Sequence, residues 1–244
     1  MDDSDFDSSN VNRPGGKISA RPLHFFWVCD CSGSMSENGK IFQLNNAIRE
    51  ALPHMVEVAD DNPNAEILIR TLKFSSNAAW VQPQSVPIHQ FEWEDLSAEG
   101  ETKMGQALSI LAKELKIPPM SERALKPVIV LISDGQPTDN FKQGLEAFMR
   151  EPWGKKAVRL AIAIGRDAKE DVLQEFIGNS EIRPFQANSP EKLAGYIQFV
   201  STFVLKETSS PASTHKEVSS SQLSSSIFKA SSNISQQITE DEIW

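Results

Sequence analysis

The chain has few of the residues that cross-link or staple small secreted proteins. Its 244 residues include only two cysteines, Cys29 and Cys31. Two cysteines cannot build a disulfide framework. Their positions, two apart at the end of a predicted strand, would strain a bond between them. We therefore expect the reducing setting of the cytoplasm, with both cysteines filling space near the core.

Basic residues and long apolar runs are also scarce. Lys and Arg total 24 against 33 Asp and Glu, which gives a net charge of -9. This balance argues against a nucleic-acid surface or a polybasic membrane attachment. The longest apolar runs, such as residues 160–164, are far shorter than the roughly 20 residues of a membrane span. The first residues, Met-Asp-Asp-Ser-Asp, also lack the basic and apolar parts of a secretory signal. We expect neither nucleic acid nor membrane as a partner.

Common catalytic and nucleotide-binding motifs are missing as well. The chain contains no Gly-x-Ser-x-Gly elbow, no Gly-x-x-x-x-Gly-Lys-Ser/Thr loop and no Gly-x-Gly-x-x-Gly after its first predicted strand. Serine hydrolysis and nucleotide binding by these loops are therefore unsupported.

Composition divides the chain into three parts. Residues 1–20 are polar and have four aspartates among the first seven residues, which predicts a disordered acidic leader. Residues 21–206 carry nearly all of the hydrophobic periodicity and are numerous enough for one domain with a sizeable core. Residues 207–244 contain 12 serines, 3 threonines and no glycine, with a net charge of -3. Such a segment buries too little apolar surface to offset its ordering entropy, so we expect a disordered tail.

Strand and helix patterns alternate through residues 21–206. Short apolar, often β-branched runs predict strands at 23–28, 65–74, 128–132, 158–165 and 182–186. Between them, apolar residues at spacings of three and four predict helices, among them one from Ile41 to Val56 that Pro53 should kink. This alternation is typical of an α/β fold with a doubly wound, mostly parallel sheet and helices on both faces.

Three polar clusters are predicted to meet at one rim of that sheet. The sequence Asp-Cys-Ser-Gly-Ser at 30–34 follows the first strand, Gly-Glu-Thr at 100–102 opens a helix, and Ser-Asp-Gly at 133–135 follows the central strand. Ligands of such folds bind outside the carboxyl ends of the strands. We expect Gly33 to let the first loop turn tightly. The clusters offer two carboxylates and three hydroxyls: Asp30, Asp134, Ser32, Ser34 and Thr102. An all-oxygen set without His or Cys favours Mg²⁺ or Mn²⁺ over zinc, with Ca²⁺ a poorer fit.

Structural roles are open for the same residues. The two aspartates could cap helices or solvate loops, and Thr102 could cap the helix that begins near Lys103. Asp139, after Pro137 and Thr138, fits a turn.

The pattern Asp-x-Ser-x-Ser, with a later Gly-x-Thr and Asp-Gly, resembles the metal-ion-dependent adhesion site of von Willebrand factor A domains. The resemblance covers about residues 21–206 and implies a Rossmann-like, generally non-catalytic domain. It implies that Ser32 and Ser34 bind the metal directly. Asp30 and Asp134 would hold it mostly through water and hydrogen bonds. Thr102 would bind directly or through water.

Longer stretches are similar to one branch of that family. Asp-x-Ser-Gly-Ser-Met at the first loop and Ser-Asp-Gly-Gln-Pro-Thr-Asp at the third resemble bacterial TerY-type proteins of tellurium-resistance and stress clusters. This likeness implies a scaffold or sensor in a stress or defence pathway. Its partners would be a Ser/Thr protein kinase and a metal-dependent Ser/Thr protein phosphatase.

A divalent ion held by neutral hydroxyls keeps an open coordination position, which a partner's Asp or Glu could fill. We expect Glu101 and Gln136 to contact that partner at the rim. Two other functions stay open: an adaptor for an AAA+ ATPase, and a metal-dependent phosphohydrolase, although no general base beyond Asp30 is evident.

The tail carries apolar residues with helical spacing. Leu223, Ile227, Ile234 and Ile238 are separated by four, seven and four residues, and Phe228 and Trp244 are further apolar side chains. We expect this segment to fold as a helix in a groove of a partner or of its own domain. Its serine and threonine density marks it as a candidate kinase substrate, with a solvated tether as the alternative.

Overall fold

A sheet of seven strands organises the part of the chain described by the computed structural model, which is residues 20–166, 168–209, 226–227 and 229–230. The strands are β1 Arg21–Asp30, β2 Ala65–Phe74, β3 Ala78–Trp80, β4 Val86–Pro87, β5 Val128–Ser133, β6 Val158–Ile164 and β7 Phe185–Ala187. Their order is β3-β2-β1-β5-β6-β7, and β4 also pairs with β2. The pairs formed by β2, β1, β5, β6 and β7 are parallel. Only β3 and β4 run antiparallel to β2 within these residues.

Helices flank this sheet, as the alternating pattern predicts. They are α1 Lys40–Asp60, α2 Met104–Glu114, α3 Phe141–Arg150, α4 Pro152–Lys156, α5 Glu170–Ile177, α6 Pro190–Phe199 and α7 Leu205–Ser209. Short 3-10 segments cover Gly33–Gly39 and Ile88–Gln90, and one π-helical turn, Val200–Val204, joins α6 to α7. The α/β fold with a mostly parallel sheet is therefore confirmed.

Local details differ from the sequence expectations where short elements are concerned. The strand predicted at 182–186 is wrong in its bounds, because β7 covers only Phe185–Ala187. Strands β3 and β4 were not expected, since two or three residues carry no readable period. Pro53 lies inside α1, and this helix continues past it to Asp60.

The centre of the sheet is its most apolar part. All six residues of β5 are buried, as its β-branched sequence predicts for a strand covered on both faces. In β1, the aromatic residues Phe25, Phe26 and Trp27 are almost completely buried. On one side of the core, α2 meets α3 so closely that a Cβ on Gly105 would lie 2.4 Å from the carbonyl oxygen of Asn140. This crossing positions the loops that precede both helices.

The register of the two central strands places their carboxyl ends side by side. Cys29 of β1 lies opposite Ile132 of β5 in a parallel pair. Asp30 and Ser133, the next residues, therefore end adjacent strands at the same edge. This is the edge at which doubly wound folds bind ligands.

A short piece of the tail lies against the domain. Residues 226–227 and 229–230 have helical backbone. The Ile227 side chain is fully buried within the core cluster, and Ala230 packs against that cluster. Leu223, Phe228, Ile234, Ile238 and Trp244, which the sequence predicts to bind a partner, lie outside the described residues. Among the helices described, none combines the length and the apolar character needed to cross a membrane.

Candidate metal centre

The first loop folds around the carboxylate of Asp30. The backbone N–H of Ser32 donates a hydrogen bond of 2.8 Å to Oδ1 of Asp30. The hydroxyls of Ser32 and Ser34 lie 3.1 Å apart. Asp30 and Ser32 are buried, and Ser34 is partly exposed. The loop thus gathers two hydroxyl oxygens beside one buried carboxylate.

The third loop supplies the second carboxylate. The hydroxyl of Ser34 donates to Oδ1 of Asp134 at 2.7 Å, which joins residues 100 positions apart in the sequence. Beside it, the hydroxyl of Ser133 donates to Oδ2 of Asp30. The two carboxylates are therefore linked to each other's loops by serine hydroxyls.

The middle loop is tied to the third loop on both sides of Thr102. The N–H of Thr138 donates to the carbonyl oxygen of Thr102 at 2.9 Å. The N–H of Thr102 donates to the Thr138 hydroxyl at 3.3 Å. A Cβ built on Gly135 would lie 3.5 Å from Oγ1 of Thr102 and 3.8 Å from Oδ2 of Asp30. The threonine hydroxyl and the Asp30 carboxylate thus converge beside Gly135, as the sequence predicts.

Asp139 holds this arrangement from the other end of the third loop. Its carboxylate accepts hydrogen bonds from the N–H groups of Gly105 at 2.8 Å and Gln106 at 2.7 Å. These are unpaired donors in the first turn of α2, where a negative charge is favourable. The backbone bends at residues 138–139, in agreement with the expected turn, and the Asp139 carboxylate in addition caps a helix 33 residues away.

A lysine that sequence reasoning missed lies at the same centre. Nζ of Lys40 is 2.7 Å from Oδ2 of Asp134, and the two side chains are only 11% and 1% exposed. Lys40 is the first residue of α1, where the helix dipole disfavours a cation. A cation at the start of a helix is unfavourable, and this was the one feature of the sequence that could have indicated a specific partner for Lys40.

Burial dominates the electrostatics of Asp30. The pKa of its carboxyl is raised to about 6, chiefly by removal from water and to a smaller extent by the negative charge of Asp134. Hydrogen bonds from Ser133 and Ser32 act in the opposite direction. The ionised form of Asp30 is therefore held at a cost in free energy, which a nearby cation would offset.

The other residues singled out from the sequence lie near the rim of the sheet or have structural roles. Glu101 is exposed and pairs with Lys103, which lowers the pKa of its carboxyl. Gln136 is also exposed, in the third loop. The backbone of Gly33 is not left-handed, and a Cβ there would make only ordinary contact with Gly100, so the expected need for glycine at this turn is wrong. Cys29 and Cys31 are free and buried.

The donor set fits a hard divalent cation. It consists of oxygen atoms only, which suits Mg²⁺ or Mn²⁺. Within the described part of the chain, no three His, Cys, Asp or Glu side chains group as a metal site. The burial that raises the pKa of Asp30 gives an independent reason for a cation here.

Comparison with known families gives the domain its class. The family model of the von Willebrand factor type A domain matches residues 26–199. The chain belongs to this family. The match runs from within β1 to the end of α6 and includes all five oxygen donors. No curated protein matches the chain.

Solved structures share the fold at low sequence identity. The von Willebrand factor type A protein from Catenulispora acidiphila has a TM-score of 0.57 and 15% identity over 75% of this chain and 42% of that one. The pilus adhesin SpaC from Lactobacillus rhamnosus GG has a TM-score of 0.61 and 15% identity over 78% of this chain and 31% of that one. Proximal thread matrix protein 1 from the mussel byssus, with a zinc-occupied MIDAS motif, has a TM-score of 0.54 and 18% identity over 76% of this chain and 46% of that one. The chain spans less than half the length of each of these proteins.

Proposed function

We propose that the chain is a non-catalytic, metal-dependent protein-interaction module. The observation that carries this proposal is the convergence of three separated loops on one cluster of oxygen atoms. Ser32, Ser34 and Thr102 would provide neutral ligands, and Asp30 and Asp134 would balance the charge of the ion. The zinc-occupied motif of the mussel protein supports a divalent ion at such a motif. The oxygen donors of this chain favour Mg²⁺ or Mn²⁺.

The bound ion would keep one coordination position open for a partner's carboxylate, because three of its ligands are neutral hydroxyls. The charge of the surroundings refines the chemistry of that partner. The segment 91–102, which leads into the site, contains five acidic residues and no basic residue. Glu99 is exposed and its N–H donates to the carbonyl oxygen of Cys31 at 2.8 Å, so it borders the first loop. The partner should therefore present one acidic residue within basic surroundings.

A role in catalysis is less well supported by the geometry. Each oxygen of Asp134 already accepts a hydrogen bond, from Ser34 and from Lys40. Asp30 likewise accepts from Ser32 and Ser133. These contacts fix both carboxylates in positions that suit the orientation of an ion's ligands, and the sequence offers no evident general base beyond Asp30.

The partners we propose are a Ser/Thr protein kinase and a metal-dependent Ser/Thr protein phosphatase in a bacterial stress or defence pathway. This finer proposal is supported by the TerY-like sequences of the first and third loops, together with the serine-rich tail. An AAA+ ATPase as partner is the second candidate, supported by family resemblance alone.

The test compares partner capture with and without the metal. The tagged chain is recovered from its native cells in Mg²⁺ and in chelator, beside Ser34→Ala. The control is Ser97→Ala, an exposed serine in the neighbouring loop. We expect proteins that are captured in Mg²⁺ by the wild type and by Ser97→Ala, but lost in chelator and in Ser34→Ala.

The identity of those proteins decides between the candidates. A kinase and a phosphatase among them support the finer proposal, and an AAA+ ATPase in their place replaces it. Capture of the same proteins in chelator and by Ser34→Ala would contradict the metal-dependent function itself.

A further inference from the structure

A basic pocket lies at the edge of the sheet opposite the metal centre. It has a volume of about 370 Å³ and includes Val158, the first residue of β6, and the carboxyl end of α5. Four cationic side chains line it: Lys126, Lys155, Lys156 and Arg159. None of its lining residues is acidic. In a chain with a net charge of -9, this is a local reversal of sign.

The guanidinium of Arg159 is fixed at the wall of this pocket. Its Nη1 donates to the carbonyl oxygen of Phe176 at 2.8 Å. A Cβ on Gly178 would lie 2.9 Å from Nη2 of Arg159, so the glycine leaves room for the guanidinium. Partial burial lowers the pKa of Arg159. An anion beside the group would offset the loss of hydration.

The two neighbouring lysines are available to an anion. Lys155 and Lys156 are exposed, and Nζ of Lys156 lies 4.8 Å from the centre of the Trp153 ring. In the described part of the chain, neither lysine nor Arg159 forms an ion pair with a carboxylate. Three cations of one pocket are thus without an acidic partner there, which is the arrangement that recognises phosphate groups.

The tail enters this same pocket. Ile227 lines it and is fully buried. Ser226, the preceding residue in the chain, is half-buried. The sequence before Ile227 is Ser224-Ser225-Ser226. The buried isoleucine therefore brings its chain neighbour, Ser226, near a cluster of cations that has no acidic lining.

We propose that this pocket binds a phosphomonoester carried by Ser226 of the same chain. A separate protein kinase would transfer the γ-phosphoryl group of a nucleoside triphosphate to Oγ of Ser226. The new bond joins Oγ to phosphorus, and the bond from phosphorus to the β-phosphate oxygen breaks. The hydroxyl proton passes to solvent, and a nucleoside diphosphate leaves. The phosphate, with a charge of about -1.5 to -2, then pairs with the pocket cations and fastens the tail.

The experiment uses the full chain with phosphoserine incorporated at position 226. Its phosphorus resonance is followed against pH by nuclear magnetic resonance. Cations favour the dianion, so we expect the second phosphate pKa to fall about one unit below its ordinary value of about 6. The double variant Lys155→Ala/Lys156→Ala should restore the ordinary value, and Lys155→Arg/Lys156→Arg should keep the shift. The exposed pair Lys113→Ala/Lys142→Ala serves as the matched control.

Two results would overturn the proposal. One is a phosphoserine that titrates near its ordinary pKa and does not respond to the Lys155 and Lys156 variants. The other concerns the source of the phosphate. Inorganic phosphate is titrated into the unmodified and the Ser226-phosphorylated chains, and its binding is measured by calorimetry. Equal, lysine-dependent binding to both chains would show that the pocket takes a free anion and not the tail. Loss of that binding in the phosphorylated chain supports the tail as occupant.

Discussion

At the scale of single residues, Lys40 sets this metal centre apart from a simple cluster of oxygen atoms. Its ammonium already neutralises one of the two carboxylates, through a buried contact of 2.7 Å to Asp134. A divalent ion bound by the same loops would lie near this positive charge and be repelled by it. Lys40 should therefore stabilise the metal-free domain and weaken metal binding.

Replacing Lys40 tests this role. In Lys40→Met we expect Mg²⁺ to bind about tenfold more tightly, or about 1.4 kcal/mol, in calorimetric titration. We also expect the metal-free variant to unfold at lower urea concentration, because Asp134 loses its buried partner. The control is Lys103→Met, since Lys103 pairs with exposed Glu101. Unchanged or weaker Mg²⁺ binding in Lys40→Met would contradict this role.

His24 makes stability depend on pH. Burial lowers the pKa of its imidazole from 6.5 to about 4. Because the folded-state pKa lies below the unfolded value, the stabilisation is present above pH 6.5 and is lost as the pH falls toward 4. Between pH 7 and pH 5, the loss from His24 should reach at most about 2 kcal/mol.

The comparison that isolates His24 is wild type against His24→Gln in urea unfolding at both pH values. The difference is needed because the raised pKa of Asp30 acts in the opposite direction: its protonation stabilises the metal-free domain as the pH falls through 6. We expect the wild type to lose more stability than His24→Gln on acidification. Equal pH dependence in both chains would rule out the role of His24.

At the scale of elements, the sequence predicts long helices and strands well, because their apolar residues recur with a regular period. It predicts poorly the contacts between residues that are far apart in the chain. The apolar run of β5 and the helical spacing of α1 place long elements, because each contains enough residues to show a period. Four of the five oxygen donors follow from their positions after predicted strands, and Thr102 follows from its position at the start of a predicted helix. Lys40 and Asp139 act through contacts 94 and 33 residues away, and spacing along the chain carries no record of such contacts.

We expect Asp139 to link the stability of α2 to the candidate metal centre. Asp139→Ala removes a carboxylate that accepts two backbone N–H groups, so we expect a loss of about 1–2 kcal/mol in unfolding free energy. Because the same loop holds Thr102, Mg²⁺ binding should weaken as well. The control is Asp171→Ala, in the exposed first turn of α5. Loss of stability without any change in Mg²⁺ binding would separate the cap from the metal centre.

At the scale of the whole molecule, the two edges of the sheet have different ligand chemistry. The carboxyl ends of β1 and β5 carry the oxygen donors, and the pocket at the amino end of β6 holds Ile227 and the cations. We therefore expect the docking of Ile227 to add stability without blocking the candidate metal centre.

Ile227→Asp tests the docking of the tail. We expect the domain to lose about 2 kcal/mol or more, because a buried apolar side chain is replaced by a charge. Thermal unfolding measures the loss, with exposed Lys229→Glu as the neighbouring control. An unchanged melting temperature in Ile227→Asp would show that the tail segment adds nothing to the stability of the domain.

The central claim is that three loops form one divalent cation site, and binding of Mn²⁺ to the full chain tests it most directly. Free Mn²⁺ is measured by electron paramagnetic resonance in titrations of the wild type, Ser34→Ala and Ser97→Ala. The account predicts one Mn²⁺ per chain, displaced by excess Mg²⁺, with affinity lost in Ser34→Ala and kept in Ser97→Ala. Absence of stoichiometric binding in the wild type, or equal affinity in Ser34→Ala, would contradict it.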